Sequence, residues 1–111
     1  MELALETRSQ GTWTVVRVAG ELDMHTSPQI REEVLARATD GDRRIALDLT
    51  EVSFMDSSSL GVLVMCLKRL REQDGRLVLV GVRGSPMKVL VLTGLDRVFD
   101  IFDTAAELPS D

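Results

Sequence analysis

Asp56 stands directly before three consecutive serines, Ser57, Ser58 and Ser59, and the apolar run LGVLVMCL follows at once. Asp and Ser are leading acceptors for the free N–H groups at a helix start, so the group reads first as a cap. The same residues leave other chemistry open. A nucleophilic serine needs a base within hydrogen-bond reach, normally a histidine oriented by a carboxylate. The chain has a single histidine, His25, so a hydrolase would pair it with Ser57 or Ser58. No Gly-x-Ser-x-Gly elbow surrounds either serine. A nucleotide-phosphate cradle is disfavoured, because the Gly-x-x-x-x-Gly-Lys-Ser/Thr pattern is absent and Asp56 would repel the anion. Asp23, His25 and Asp56 offer oxygen and nitrogen ligands, but one histidine without a close ligand pair is a poor metal signature. No metal or cofactor is expected. The remaining reading is covalent phosphorylation of a serine at the helix start. A phosphate adds a charge of about −1.5 to −2 and gains ~0.3–1 kcal/mol from the helix dipole, so the helix survives it. A like charge on a docked partner ~7 Å away is repelled by roughly 2 kcal/mol per unit charge at an effective dielectric of ~20. Such a modification gates an interface without refolding the domain.

The surrounding sequence alternates strands and helices. LALET and TWTVVRVAG read as two strands around the turn RSQG, with Gly20 breaking the second. HTSPQIREEVLARATDG reads as a helix started by Thr26 or Ser27, with Gln29 at capping-box spacing from Thr26. Ile30, Val34, Leu35 and Ala38 form its apolar stripe and Gly41 ends it. RRIALDL is a strand, and SSSLGVLVMCLKRLREQDG is a second helix with Leu60, Leu63, Val64, Leu67 and Leu70 at helical spacing and Gly75 as its stop. RLVLVGV has the continuous apolar character of a strand buried on both faces. SPMKVLVLTG is a short third helix, RVFDIF a last strand, and TAAEL a final helical turn with Thr104 and Glu107 at capping-box spacing. This order implies mostly parallel pairing behind an initial hairpin. In open α/β sheets, sites form where strand carboxyl ends meet helix N-termini. Two loops qualify: GELDMHTSP, and TEVSFMDSSS after the third strand.

Bulk properties narrow the function classes. The 111 residues are 44% hydrophobic and carry a formal net charge of −5. One domain with a core built from aliphatic side chains follows. The acidic balance disfavours direct nucleic-acid or anionic-membrane binding, which calls for a basic stripe. The lone cysteine, Cys66, lies in an apolar segment and reads as a small buried hydrophobe. The first residues, MELALETRSQ, do not resemble a signal peptide, and no apolar run approaches membrane-span length. A cytoplasmic protein is expected.

GELDMHTSP, IALDL and VSFMDSSSLGVLV resemble the STAS domain of bacterial anti-sigma factor antagonists, and the resemblance runs from Leu3 to Phe102. The family motif Asp-Ser-Ser/Thr-Gly-Leu-Gly appears as DSSSLG, with GELD upstream at the family's separation. VLVLTGLDRVFDIF resembles the family's third helix and following strand. The resemblance implies an α/β STAS fold over residues 1–111, one mixed sheet of about five strands covered by three to four helices. It also implies a mechanism. The unphosphorylated protein binds an anti-sigma factor that is a serine kinase, and the sigma factor is freed for transcription. The kinase phosphorylates the serine after the motif aspartate, Ser57, and a serine phosphatase resets it. Asp56 positions the acceptor and Asp23 lies beside it. The implied partner-binding face comprises Asp23, His25, Thr26, Asp56, Ser57, Ser58, Ser59, Leu60 and Gly61. The chain is then a kinase substrate and not an enzyme. The alternative is a constitutive STAS scaffold whose serine is never modified. One residue departs from the motif: Ser59 replaces its first glycine. A side chain there is expected to crowd the partner, and Ser58 and Ser59 to compete as acceptors. Gly61 costs ~1 kcal/mol relative to alanine in a helix, which points to a closely packed neighbouring helix or to docking at that spot.

Overall fold

A computed structural model describes residues 3–110. Five strands and three helices follow one another as β1 (Ala4–Gln10), β2 (Trp13–Leu22), α1 (Ser27–Thr39), β3 (Arg44–Met55), α2 (Ser57–Glu72), β4 (Arg76–Val80), α3 (Gly84–Thr93) and β5 (Asp100–Phe102). They form one sheet in the order β1-β2-β3-β4-β5. The β1–β2 pair is antiparallel and every other pair is parallel. The expected mixed α/β sheet is therefore present.

Burial explains the layering. Val16 and Val18 of β2, Leu47 and Leu49 of β3 and Leu79 of β4 share one cluster with Ile30 and Val34 of α1, Leu63 and Leu67 of α2, and Leu90 of α3. All three helices thus pack on one face of the sheet. On the other face, Trp13, Val15, Ala46, Val78 and Val80 pack with Leu108, Phe102 and Ala105. The Trp13 Nε1–H donates to the Pro109 carbonyl at 2.7 Å, which ties the C-terminal segment down. β4 is consequently buried on both faces, as its unbroken apolar run requires. Beyond that cover, Arg17 lies exposed between Glu6 and Glu51 and pairs with both. Such exposed ion pairs add little stability.

Several boundaries differ from those expected. The hairpin turn is Gly11-Thr12 and not RSQG, because Gln10 still pairs with Trp13. A two-residue hairpin turn needs positive φ at its first position, and Gly11 supplies it at 59°. Gly20 does not end β2. Register shifts at Arg17/Ala19 and Gly20/Glu21 absorb it, and β2 runs on until Leu22 is buried. β3 likewise passes Leu49 and continues to Met55, so TEVSFM is strand and not loop. α2 closes at Glu72, ahead of Gly75, and Asp74 takes the left-handed turn with φ 59°. Residues 95–97 form a 3₁₀ turn, which leaves Asp100–Phe102 as the last strand. The final helical turn, Ala105–Glu107, is also 3₁₀. Its Glu107 carboxylate accepts from the Asp103 N–H at 3.0 Å, and Thr104 makes no side-chain cap bond.

Candidate functional site

The lengthened strands bring the two candidate loops together. Leu22 and Met55 are register partners, and the Asp56 N–H donates to the Leu22 carbonyl at 3.1 Å. Asp23 and Asp56 are the next residues of their chains, so two carboxylates leave adjacent parallel strands at the same sheet edge.

Asp56 caps α2. Its backbone is extended, at φ −101° and ψ 175°, and its Oδ1 accepts from the Ser59 N–H at 3.1 Å. A cap of this type contributes ~1 kcal/mol. The three serines behind it have different fates. The Ser58 hydroxyl donates to Asp56 Oδ1 at 2.6 Å. The Ser59 hydroxyl donates to the Asp56 carbonyl at 2.7 Å, and Ser59 is fully buried. Ser57 is exposed, and its hydroxyl has no hydrogen-bond partner among the described residues. Ser59 therefore faces inward, and its side chain is not presented at the surface where crowding and competition with Ser58 were expected.

Asp23 organises the other loop. Its Oδ1 accepts from the His25 N–H at 2.9 Å and the Thr26 N–H at 3.0 Å. The Thr26 hydroxyl oxygen accepts from the Asp23 N–H at 3.0 Å and donates its proton to the Glu21 carbonyl at 2.7 Å. This reciprocal Asp-x-x-Thr lock replaces the expected cap at Thr26 or Ser27. Thr26 makes no side-chain cap bond to α1, and the Gln29 backbone N–H donates to the Thr26 carbonyl. The physical reason is an extra turn before the helix, closed by the Ser27 N–H on the Asp23 carbonyl at 2.9 Å.

The Thr26 and His25 backbone N–H groups hold the Asp23 carboxyl below the ordinary carboxylate range. A lowered folded-state pKa means that this carboxylate stabilises the loop fully above the ordinary value and loses its effect as pH falls through the lowered one. The amide shifts of His25 and Thr26 should thus share one carboxylate step, and it should lie below the ordinary aspartate value of about 4. An NMR titration checks this, and Asp23→Asn should abolish the shared step.

Thr26, Ser59 and Leu60 are buried. His25, Ser57, Ser58 and Gly61 are exposed, and Asp23 and Asp56 are half-buried. The His25 imidazole makes no hydrogen bond to Ser57 or Ser58 among the described residues, so the base–nucleophile contact of a hydrolase is not formed. Cys66 is fully buried, and burial pushes its thiol up to about 12.

Two residues of this edge escaped the sequence reading. Met24 is 67% exposed and Phe54 is 43% exposed. Phe54 is the register partner of Glu21, which is also exposed. An apolar side chain at a loop or strand end gives no periodic signal of its exposure. Of the two reasons expected for Gly61, close packing is absent: a Cβ there would meet nothing within 4 Å among the described residues. Gly61→Ala should therefore stabilise the fold by ~1 kcal/mol and raise Tm by about 4 °C in a thermal melt.

The sequence matches the STAS domain family over residues 4–108. The chain belongs to the STAS-domain family. This STAS domain is 39% identical over 101 residues to the anti-sigma-B factor antagonist of Staphylococcus aureus, covering 91% of this chain and 94% of the relative. Among solved structures, an anti-sigma factor antagonist from Mycobacterium paratuberculosis superposes with a TM-score of 0.84 at 27% identity, over 95% of this chain and 89% of that one. The phosphorylated form of the Bacillus cell fate determinant SpoIIAA superposes with a TM-score of 0.72 at 28% identity, over 94% of this chain and 95% of that one. The STAS domain thus falls among anti-sigma factor antagonists. No helix of the described residues is long and apolar enough to cross a membrane.

Proposed function

We propose that residues 1–111 act as a single cytoplasmic STAS module that antagonises a kinase-type anti-sigma factor. In the unphosphorylated state it binds that factor and frees a sigma factor for transcription. The kinase then phosphorylates Ser57, the complex parts, and a serine phosphatase resets the switch. The observation that carries this reading is the Ser57 hydroxyl: exposed, without a hydrogen-bond partner among the described residues, and at the start of α2, directly after Asp56. A phosphate at Ser57 meets α2 at its N-terminus, where negative charge is favoured, so its cost falls on the docked partner. The net charge of −5 argues against direct nucleic-acid contact.

The test is capture of proteins from native-host lysate on the immobilised chain, followed by addition of ATP. The proposal expects an anti-sigma factor with kinase activity on the chain, phosphate on Ser57, and release of the factor as phosphate accumulates. Binding that persists with ATP, and no phosphate on Ser57, would leave a constitutive scaffold instead.

A further inference from the structure

We propose that the Asp56 carboxylate selects the phosphoacceptor, by holding the Ser58 hydroxyl and leaving Ser57 free. This rests on the reading of Ser57 as a kinase acceptor and addresses a question that reading leaves open: two adjacent exposed serines start the same helix, yet one is chosen. Phosphoryl transfer from a nucleoside triphosphate forms a bond from the serine Oγ to the γ-phosphorus. It breaks the bridging bond to the β-phosphate oxygen, and the hydroxyl proton passes to a base of the kinase. The acceptor oxygen must be free to turn toward the phosphorus, and its proton toward that base.

Ser57 meets both conditions, since its hydroxyl is exposed and unengaged among the described residues. Ser58 meets neither. Its proton already points at Asp56 Oδ1, 2.6 Å away, a short bond to an ionised acceptor of the stronger class. That carboxylate also presents negative charge to an incoming anionic phosphoryl group. Asp56 is itself fixed, because the same Oδ1 accepts from the Ser59 N–H and the Asp56 carbonyl accepts from the Ser59 hydroxyl. Ser59, which stands where the family motif has glycine, therefore braces the selector from inside. Asp56 is a positioning residue here, acting through Ser58.

The test uses the kinase recovered on the wild-type chain, ATP, and mapping of phosphate by tandem mass spectrometry. The readout is the ratio of Ser58 to Ser57 phosphate. Both serines ride on the same docked chain, so the ratio does not depend on affinity. Asp56→Ala should raise the ratio about tenfold, the equivalent of losing one charge-assisted hydrogen bond, and Asp56→Asn, whose Oδ1 still accepts from the Ser58 hydroxyl but without the charge, should raise it by less. The asparagine variant keeps an acceptor for the Ser59 N–H, so the readout survives if the alanine variant melts. Ser57→Ala with Asp56 intact should lose nearly all label, and Ser57→Ala/Asp56→Ala should regain label on Ser58. An unchanged ratio, or ready phosphorylation of Ser58 in Ser57→Ala alone, would overturn the selector while leaving Ser57 as acceptor. Wild-type chain that takes no phosphate on Ser57 would remove the underlying reading, and the selector with it.

Discussion

Ser57→Asp should weaken binding of the anti-sigma factor by roughly thirtyfold while moving Tm by less than about 4 °C. One added charge facing a like charge ~7 Å away costs about 2 kcal/mol at an effective dielectric of ~20. A phosphate, with up to twice the charge, should reach a ~10²–10³-fold loss after screening by salt. The fold is spared for a local reason. Ser57 is the first residue of α2, where the helix dipole favours negative charge by ~0.3–1 kcal/mol. The neighbouring Asp56 carboxylate offsets part of that gain. Titration calorimetry against the captured partner and a thermal melt of the same sample measure both quantities. A variant that loses binding because it unfolds would contradict the gating account.

Gly81→Ala should be the most damaging single-methyl change, lowering stability by ~3 kcal/mol and Tm by more than about 10 °C. Gly81 is buried just past β4 with φ 71°. A left-handed backbone costs a residue with a Cβ ~1–2 kcal/mol. The added carbon would also lie 2.0 Å from Thr50 Oγ1 and 3.2 Å from Thr50 Cα, so the β3 backbone has to yield. Thr50 is held by its hydroxyl on Asp48 Oδ1 at 2.6 Å, and Gly81 by its N–H on the Phe102 carbonyl at 2.8 Å. Neither side can move freely. Beyond Thr50, β3 continues to Met55 and delivers Asp56, so partner affinity should fall together with stability. Chemical denaturation of wild type and variant, read by circular dichroism, decides the magnitude. A variant as stable as wild type would mean that the turn after β4 adapts more easily than its contacts imply.

α2 was legible because Leu60, Leu63, Leu67 and Leu70 repeat at helical spacing and Asp56 precedes them as a cap, and both hold. Val64 fits the stripe by period but is only half-buried, and Cys66 takes the deeper place. Ser59 lies on the same stripe, four residues before Leu63, so its inward orientation was available from the period. Its hydroxyl character hid that, because serine at a helix start suggests solvent. The strand ends were not legible. Past Leu49 the buried residues of β3 are Val52 and Met55, a spacing of three created by irregular pairing with β2. A period-two reading stops there and calls the remainder a loop. The lock between Asp23 and Thr26 is hidden for a related reason: a capping box runs forward from Thr26, whereas the carboxylate that accepts the Thr26 N–H lies three residues earlier.

The account stands or falls on whether phosphate on Ser57 controls partner binding without altering the fold. The direct measurement is a titration of the purified anti-sigma factor with chain phosphorylated stoichiometrically at Ser57 and with unmodified chain, at one salt concentration. The account predicts a Kd raised by about 10²–10³-fold for the phosphorylated chain and superimposable amide spectra outside the first turn of α2. Equal affinities for the two forms would contradict it.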